Sequence, residues 1–229
     1  MPPMPHFFYR PNFWIELVYS LVLIITCTVI YLKTKEMYKL TSYRGINYFS
    51  KAFLFFALAY FFRFFFGFFF KLFFILNEFR PSMAGFRVGS IFFVFASTMA
   101  ALYVLYSVIW KKASEKDFTL FLYAIAAIVT LSVDIFLNPI FHIIGIIGLF
   151  LAAIIINIID ARKVNERKQK KKQGSHSLSF AYVLILLFWL LNVVSLELPW
   201  FFLELKLIVY AISAGLFMII AYRVIRIAK

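Results

Sequence analysis

Cysteine is nearly absent: Cys27 is the only one in 229 residues, so no internal disulfide can staple the fold. It lies inside an apolar run, where a free thiol serves as a small packing group. Histidine is almost as scarce, with His6, His142 and His176 alone, and only His142 lies inside an apolar stretch. That excludes a three-histidine zinc centre or a pair of axial haem histidines within one bundle. No metal site and no cofactor is implied. Nor is there a glycine-rich phosphate loop with a following lysine. Acidic residues number 10 against 24 basic ones, and charged residues make up only 15%, against about 25% in a soluble domain. The N-terminus lacks a basic stretch ahead of a short apolar core and a cleavage site, so the first apolar segment is expected to remain as a helix.

What fills the chain is apolar: 64% of it is hydrophobic and 21% aromatic, including 32 phenylalanines. A water-soluble enzyme, a disordered tail and a disulfide scaffold are all excluded. The composition is that of an all-α, polytopic membrane protein. A spanning helix needs about 20 mostly apolar residues, and seven stretches qualify: 14–32, 52–76, 88–110, 118–137, 140–159, 178–198 and 201–225. Asn138-Pro139 separates the fourth from the fifth, as a turn dipeptide that ends one helix and opens the next. Pro199 does the same between the sixth and seventh. The expectation is a single transmembrane domain over residues 1–229 with a basic cytoplasmic loop at 161–177.

Basic residues orient the spans. Lys33, Lys35, Lys39, Arg44 and Lys51 fall in the first connection, and Lys111, Lys112 and Lys116 in the third. The longest connection holds Arg162, Lys163, Arg167, Lys168, Lys170, Lys171 and Lys172, and the C-terminus Arg223, Arg226 and Lys229. The opposite side has only Arg10, Arg80 and Arg87. The N-terminus is therefore expected outside and the C-terminus in the cytoplasm of a multi-pass protein in a prokaryotic plasma membrane. The net charge of +14 is then a topology signal and does not require nucleic acid. The run from Arg162 to Lys172 can also meet anionic lipid headgroups, each basic residue contributing about 1 kcal/mol near such a surface. Trp14 and Trp200 suit the outer interface and Trp110 the inner one.

Charges inside a span are expensive, about 2.5–3.5 kcal/mol on insertion scales, and are functional candidates for that reason. They are Glu16, Arg63, Lys71, Asp134, Glu204 and Lys206, with His142 and Asn192 as polar companions. Arg63 lies about 18 Å from the level of Lys51 at 1.5 Å per residue, near the midplane. The other charges sit in the outer half. Tyr60, Arg63, Gly67 and Lys71 recur at spacings of three and four and share one helix face. An outward-facing polar cavity is expected, with Arg63 as its floor and Lys71 in its wall. Its guanidinium fork suits a carboxylate or phosphate, and Glu16, Asp134 and Glu204 are counter-charges or proton carriers. The alternative is that these charges pair within the bundle, where removing one partner costs about 3–5 kcal/mol. Lys71 and Lys206 can also snorkel to headgroups. For His142, followed by Gly145 and Gly148, close helix packing is the competing role.

Helices 3 and 7 align at an offset of 116 residues, which sets Ser97 on Ser213, Tyr106 on Tyr222, Val108 on Val224 and Ile109 on Ile225. This suggests a three-plus-one-plus-three parallel repeat, an arrangement that builds a substrate path between two halves. Chance similarity between apolar helices explains four matches about as well.

Known seven-helix families are set aside on their residues. Lys206 lies too near the outer end for a retinal lysine, and the third span has no acid as counter-ion. Sugar carriers keep prolines inside helices 1 and 5, where this chain has only Pro139 at an entrance. Ile225-Arg226 does not match the acidic-Arg-Tyr element of G-protein-coupled receptors. No pair of acids and no nucleophile–base set stands at one depth, so the chain does not read as an enzyme. The leading expectation is a transporter or channel for a small solute or ion, with an anion favoured. A sensor or receptor module acting through a cytoplasmic partner is the alternative, as is a structural subunit whose charges meet another membrane chain.

Overall fold

The computed structural model describes residues 12–77, 83–110, 115–136, 140–167, 183–191 and 203–227. Regular structure among the described residues is all helical: α1 (Asn12–Thr41), α2 (Arg44–Asn77), α3 (Met83–Ile109), α4 (Glu115–Phe136), α5 (Ile140–Arg167), α6 (183–191) and α7 (Leu203–Ile227). Among the described residues, four stretches are long and apolar enough to cross a membrane: Ile15–Thr41, Arg44–Phe65, Val88–Ile109 and Leu207–Arg226. Shorter apolar helices cover Thr119–Ile135 and His142–Ile156. The bundle also wears its hydrophobes outward. Ile25, Ile128, Ile135 and Ile144 are all more than 60% exposed, a surface suited to hydrocarbon. This is the character of a helical-bundle membrane protein.

The first connection departs from expectation. Residues 33–51 read as a polar link, but α1 runs on to Thr41 and α2 begins at Arg44. Lys33 and Glu36 pair at 2.8 Å one turn apart, and the charged turns there hold good helix formers. The turn itself is Ser42, at φ 53°, whose N–H donates to the Tyr38 carbonyl at 2.8 Å. A left-handed residue closing the last turn in this way stops a helix. At the fourth connection α4 is described to Phe136 and α5 from Ile140, and the expected turn at Asn138-Pro139 lies outside the described residues.

α3 is the hub, packing on α2, α4 and α5, while α1 packs on α2 and α7. α2 and α3 run antiparallel, with Phe62 stacked on Phe92 at one end and Tyr48 against Tyr106 at the other. α1 and α7 run parallel, since Glu16 meets Tyr210 and Tyr19 meets Ser213. Hydroxyls inside the helices are satisfied locally. Thr26, Thr34, Thr98 and Thr130 each donate to the carbonyl four residues back, at 2.7–2.8 Å, which removes the cost of a bare donor in apolar surroundings.

Glycine matters at one helix crossing. A Cβ at Gly45 would meet Tyr43 at 2.7 Å and the Ser107 carbonyl and Trp110 Nε1 at 2.9 Å. A backbone carbonyl cannot swing aside, so the start of α2 approaches α3 only because residue 45 has no side chain. The expected role of Gly145 and Gly148 is overturned. A Cβ at either would meet nothing within 4 Å, because α5 buries the stripe His142, Ile146, Phe150 and Ala153 instead. Gly45→Ala is accordingly expected to lower stability by about 1–3 kcal/mol through overpacking. Gly145→Ala and Gly148→Ala should be neutral or gain up to about 1 kcal/mol of helix propensity. Denaturation in detergent with all three variants checks the contrast.

Candidate functional site

The upper end of the bundle, where α1 begins, contains the polar groups that the sequence singles out. Tyr19 is their centre. It sits on the buried stripe Tyr19, Leu23, Cys27 and Ile30 of α1, spaced by fours and a three as one helix face must be. Its hydroxyl and the Ser213 Oγ of α7 are 2.9 Å apart in a buried hydrogen bond. Its ring stacks on Tyr210 at 4.4 Å between centroids and presents an edge contact to Tyr60 of α2 at 6.3 Å and 87°. The Tyr60 hydroxyl lies near enough to Tyr19 and to the Arg63 guanidinium to interact electrostatically with both. Above this group the Tyr210 hydroxyl donates to Glu16 Oε1 at 3.4 Å, a long bond.

A second group lies at the same level. The His142 Nε2 of α5 is 3.1 Å from the Ser97 Oγ of α3, again buried. The His142 ring meets Trp189 of α6 edge to face at 6.0 Å and 68°. Ser97 also donates to the Val94 carbonyl at 3.0 Å. Tyr60 and Phe188 join the two groups at 6.2 Å between rings, because Phe188 and Trp189 are adjacent on α6. The result is one buried belt that runs through Ser213, Tyr19, Tyr60, Phe188/Trp189, His142 and Ser97. Six helices contribute to it.

The residues expected at the site fare differently. Glu16 and Arg63 are half-buried and tie into the tyrosine group. The Arg63 guanidinium lies over the Phe93 ring of α3 at 5.7 Å, a cation–π contact that shelters the charge. His142 is buried at 4% exposure and holds α5 to α3. Asp134 is half-buried on α4 and Glu204 exposed at the start of α7. Lys71 and Lys206 fall on α2 and α7, with their side chains outside the described residues, as Asn192 is altogether. Of the basic run, Arg162, Lys163 and Arg167 continue α5 as helix, and Lys168, Lys170, Lys171 and Lys172 lie outside the described residues.

Reading by charge missed Tyr19, Tyr210, Ser97 and Ser213. The signal that finds them is position: each is a hydroxyl on the apolar stripe of its helix, where a partner is obligatory. Tyr19→Ala removes a stack, an edge contact and a buried hydrogen bond together, and should cost about 3–5 kcal/mol. Tyr210→Phe keeps the stack and loses the long bond to Glu16, so it should cost less than Tyr19→Ala, about 1 kcal/mol. Equilibrium unfolding of both variants in detergent measures the difference.

An uncharacterized protein of Archaeoglobus fulgidus is 31% identical over 218 residues, a match that takes in 92% of this chain and 91% of the archaeal one. No family model matches the chain, and no solved structure matches it. The likeness runs nearly end to end, and this chain belongs to the same family as the Archaeoglobus protein.

Proposed function

We propose that the chain is a seven-span protein of a prokaryotic plasma membrane, N-terminus outside and C-terminus cytoplasmic. In this reading it passes a small solute or ion, favourably an anion, through the upper half of the bundle. The observation that supports this is the line of polar groups from the start of α1 inward. Glu16, Tyr210 and Arg63 come first at the helix end, and Tyr19 with Ser213 and Tyr60 follow about a turn further in. Such a line is costly in an apolar interior unless it is used. Arg63 stands above Tyr60, level with Glu16 at the mouth, where a guanidinium can receive a carboxylate or phosphate, and Glu16 can carry a proton or repel unwanted anions. No group transfer is required of these residues, and none is proposed.

A second reading is a sensor that hands its state to a cytoplasmic partner. The observation that favours it is the length of α5, which continues as helix through Arg162, Lys163 and Arg167 beyond its apolar part. A rigid basic extension of that kind could bear on a partner chain or on anionic lipid.

Thermal stability of purified wild type and Arg63→Ala, each against small anions, amino acids and nucleotides, tests the site. The expected outcome is an upward shift of wild type with an anionic compound that Arg63→Ala lacks while staying folded. A variant that melts far lower, with no compound stabilising wild type, would make Arg63 a structural charge. Flux in liposomes from the purified protein then separates transport from sensing. The topology has its own check in a Cys27→Ala background. A membrane-impermeant thiol reagent added outside should label Arg10→Cys and spare Lys170→Cys.

A further inference from the structure

Two halves of the chain carry matching buried stripes on corresponding helices. A shift of 123 places Tyr19, Leu23, Cys27 and Ile30 of α1 on His142, Ile146, Phe150 and Ala153 of α5, and all eight are buried. A shift of 116 places Val94, Ser97, Ala101 and Val104 of α3 on Tyr210, Ser213, Phe217 and Ile220 of α7, again all buried. A shift of 129 places Phe56, Ala59 and Tyr60 of α2 on Ile185, Phe188 and Trp189 of α6, with the same result. Amphipathic helices can match in burial by chance. Contacts between helices do not follow from burial, and here they match too.

The Tyr19–Ser213 hydrogen bond maps onto His142–Ser97, with α1 taking the place of α5 and α7 that of α3. The Tyr19–Tyr60 edge contact maps onto His142–Trp189 under the same shifts. Packing follows suit, since α1 lies on α7 and α3 on α5. The rest of α3 does not carry over: Leu102, Tyr103 and Tyr106 are buried, and their counterparts Met218, Ile219 and Tyr222 are exposed. The correspondence thus holds at the belt and fades toward the far ends of α3 and α7.

We infer that the molecule is a duplicated three-helix unit, α1–α3 and α5–α7, joined through α4, and that Tyr19–Ser213 and His142–Ser97 are latches on the two seams between the halves. Each seam, α1 on α7 and α5 on α3, carries one serine bonded to one ring at the same level. Releasing a latch lets its seam part while the other acts as hinge, and this opens the upper bundle toward Tyr60 and Arg63. The duplication and the latches rest on the belt alone. That the opening admits a solute rests on the transport reading, so the test reads geometry and not flux.

Exposed, equivalent positions flank the two seams: Leu21 and Ile208 beside the first, Ile144 and Phe92 beside the second. Spin labels are placed on these pairs as cysteines in a Cys27→Ala background, in lipid nanodiscs, and distances are measured by pulsed electron resonance. Wild type should give closely similar distance distributions at the two seams. Ser213→Ala should broaden the Leu21–Ile208 distribution toward longer distances and leave Ile144–Phe92 as it was. Ser97→Ala should do the reverse. Tyr19→Phe, which keeps its ring contacts, should repeat the Ser213→Ala result and guards against misfolding as the cause. Dissimilar wild-type distributions, or latch variants that leave both seams unchanged, would overturn the inference. Loss of flux with intact latch behaviour would instead count against the transport reading alone.

Discussion

A hydroxyl or an imidazole buried among hydrocarbon must find a partner: the threonines take a carbonyl of their own helix, whereas Tyr19 and His142 find theirs on another helix. Leaving such a group bare costs about 1–3 kcal/mol, while the apolar faces around it pack almost equally well in several registers. Tyr19 on Ser213 and His142 on Ser97 therefore select one arrangement of helices from many of similar packing energy. Phenylalanine supplies bulk but little choice. On α2, Phe53 and Phe56 are buried while Phe61 and Phe65 face outward, so the same side chain serves interior and exterior.

Lower in the bundle a different rule holds. Around the start of α2 the limit is steric: Gly45 lets α2 reach the Ser107 carbonyl of α3, and Tyr48 and Tyr103 shelter the Lys51 ammonium at 5.3 and 5.7 Å. Close backbone approach and cation–π contact fix this end, and hydrogen-bonded rings fix the other. Between them Phe53, Phe56, Phe150, Phe188 and Phe217 form a wholly apolar layer. A polar layer above an apolar plug suits a bundle that opens at one end while the other stays closed.

Much of the architecture was legible because hydrophobic length is a strong signal. Each expected span has a helix within it among the described residues. The first connection was misjudged because charge density was taken for helix termination. Lys33, Lys35, Glu36 and Lys39 leave the apolar zone without leaving the helix, and only Ser42 ends it. The site was legible in part. Charge pointed to Glu16 and Arg63, both of which join the tyrosine group, but hydroxyls on apolar stripes carry no charge and were passed over. Gly145 and Gly148 misled because small-residue spacing gives no direction, whereas the burial of His142, Ile146 and Phe150 does. The Ser97–Ser213 match was visible in sequence, yet its weight comes from the rings each serine bonds, which alignment of apolar helices cannot supply.

The belt's role as the tie between helices is tested most directly by double-mutant cycles on its two hydrogen bonds. Tyr19→Phe with Ser213→Ala forms one cycle, and His142→Phe with Ser97→Ala the other, each read by reversible unfolding in bicelles. Coupling of about 0.6 kcal/mol in each cycle is predicted, the average for hydrogen bonds between membrane helices, whose maximum is about 1.7 kcal/mol. Additive single effects in both cycles would show that the rings and serines merely sit together, and would contradict the account.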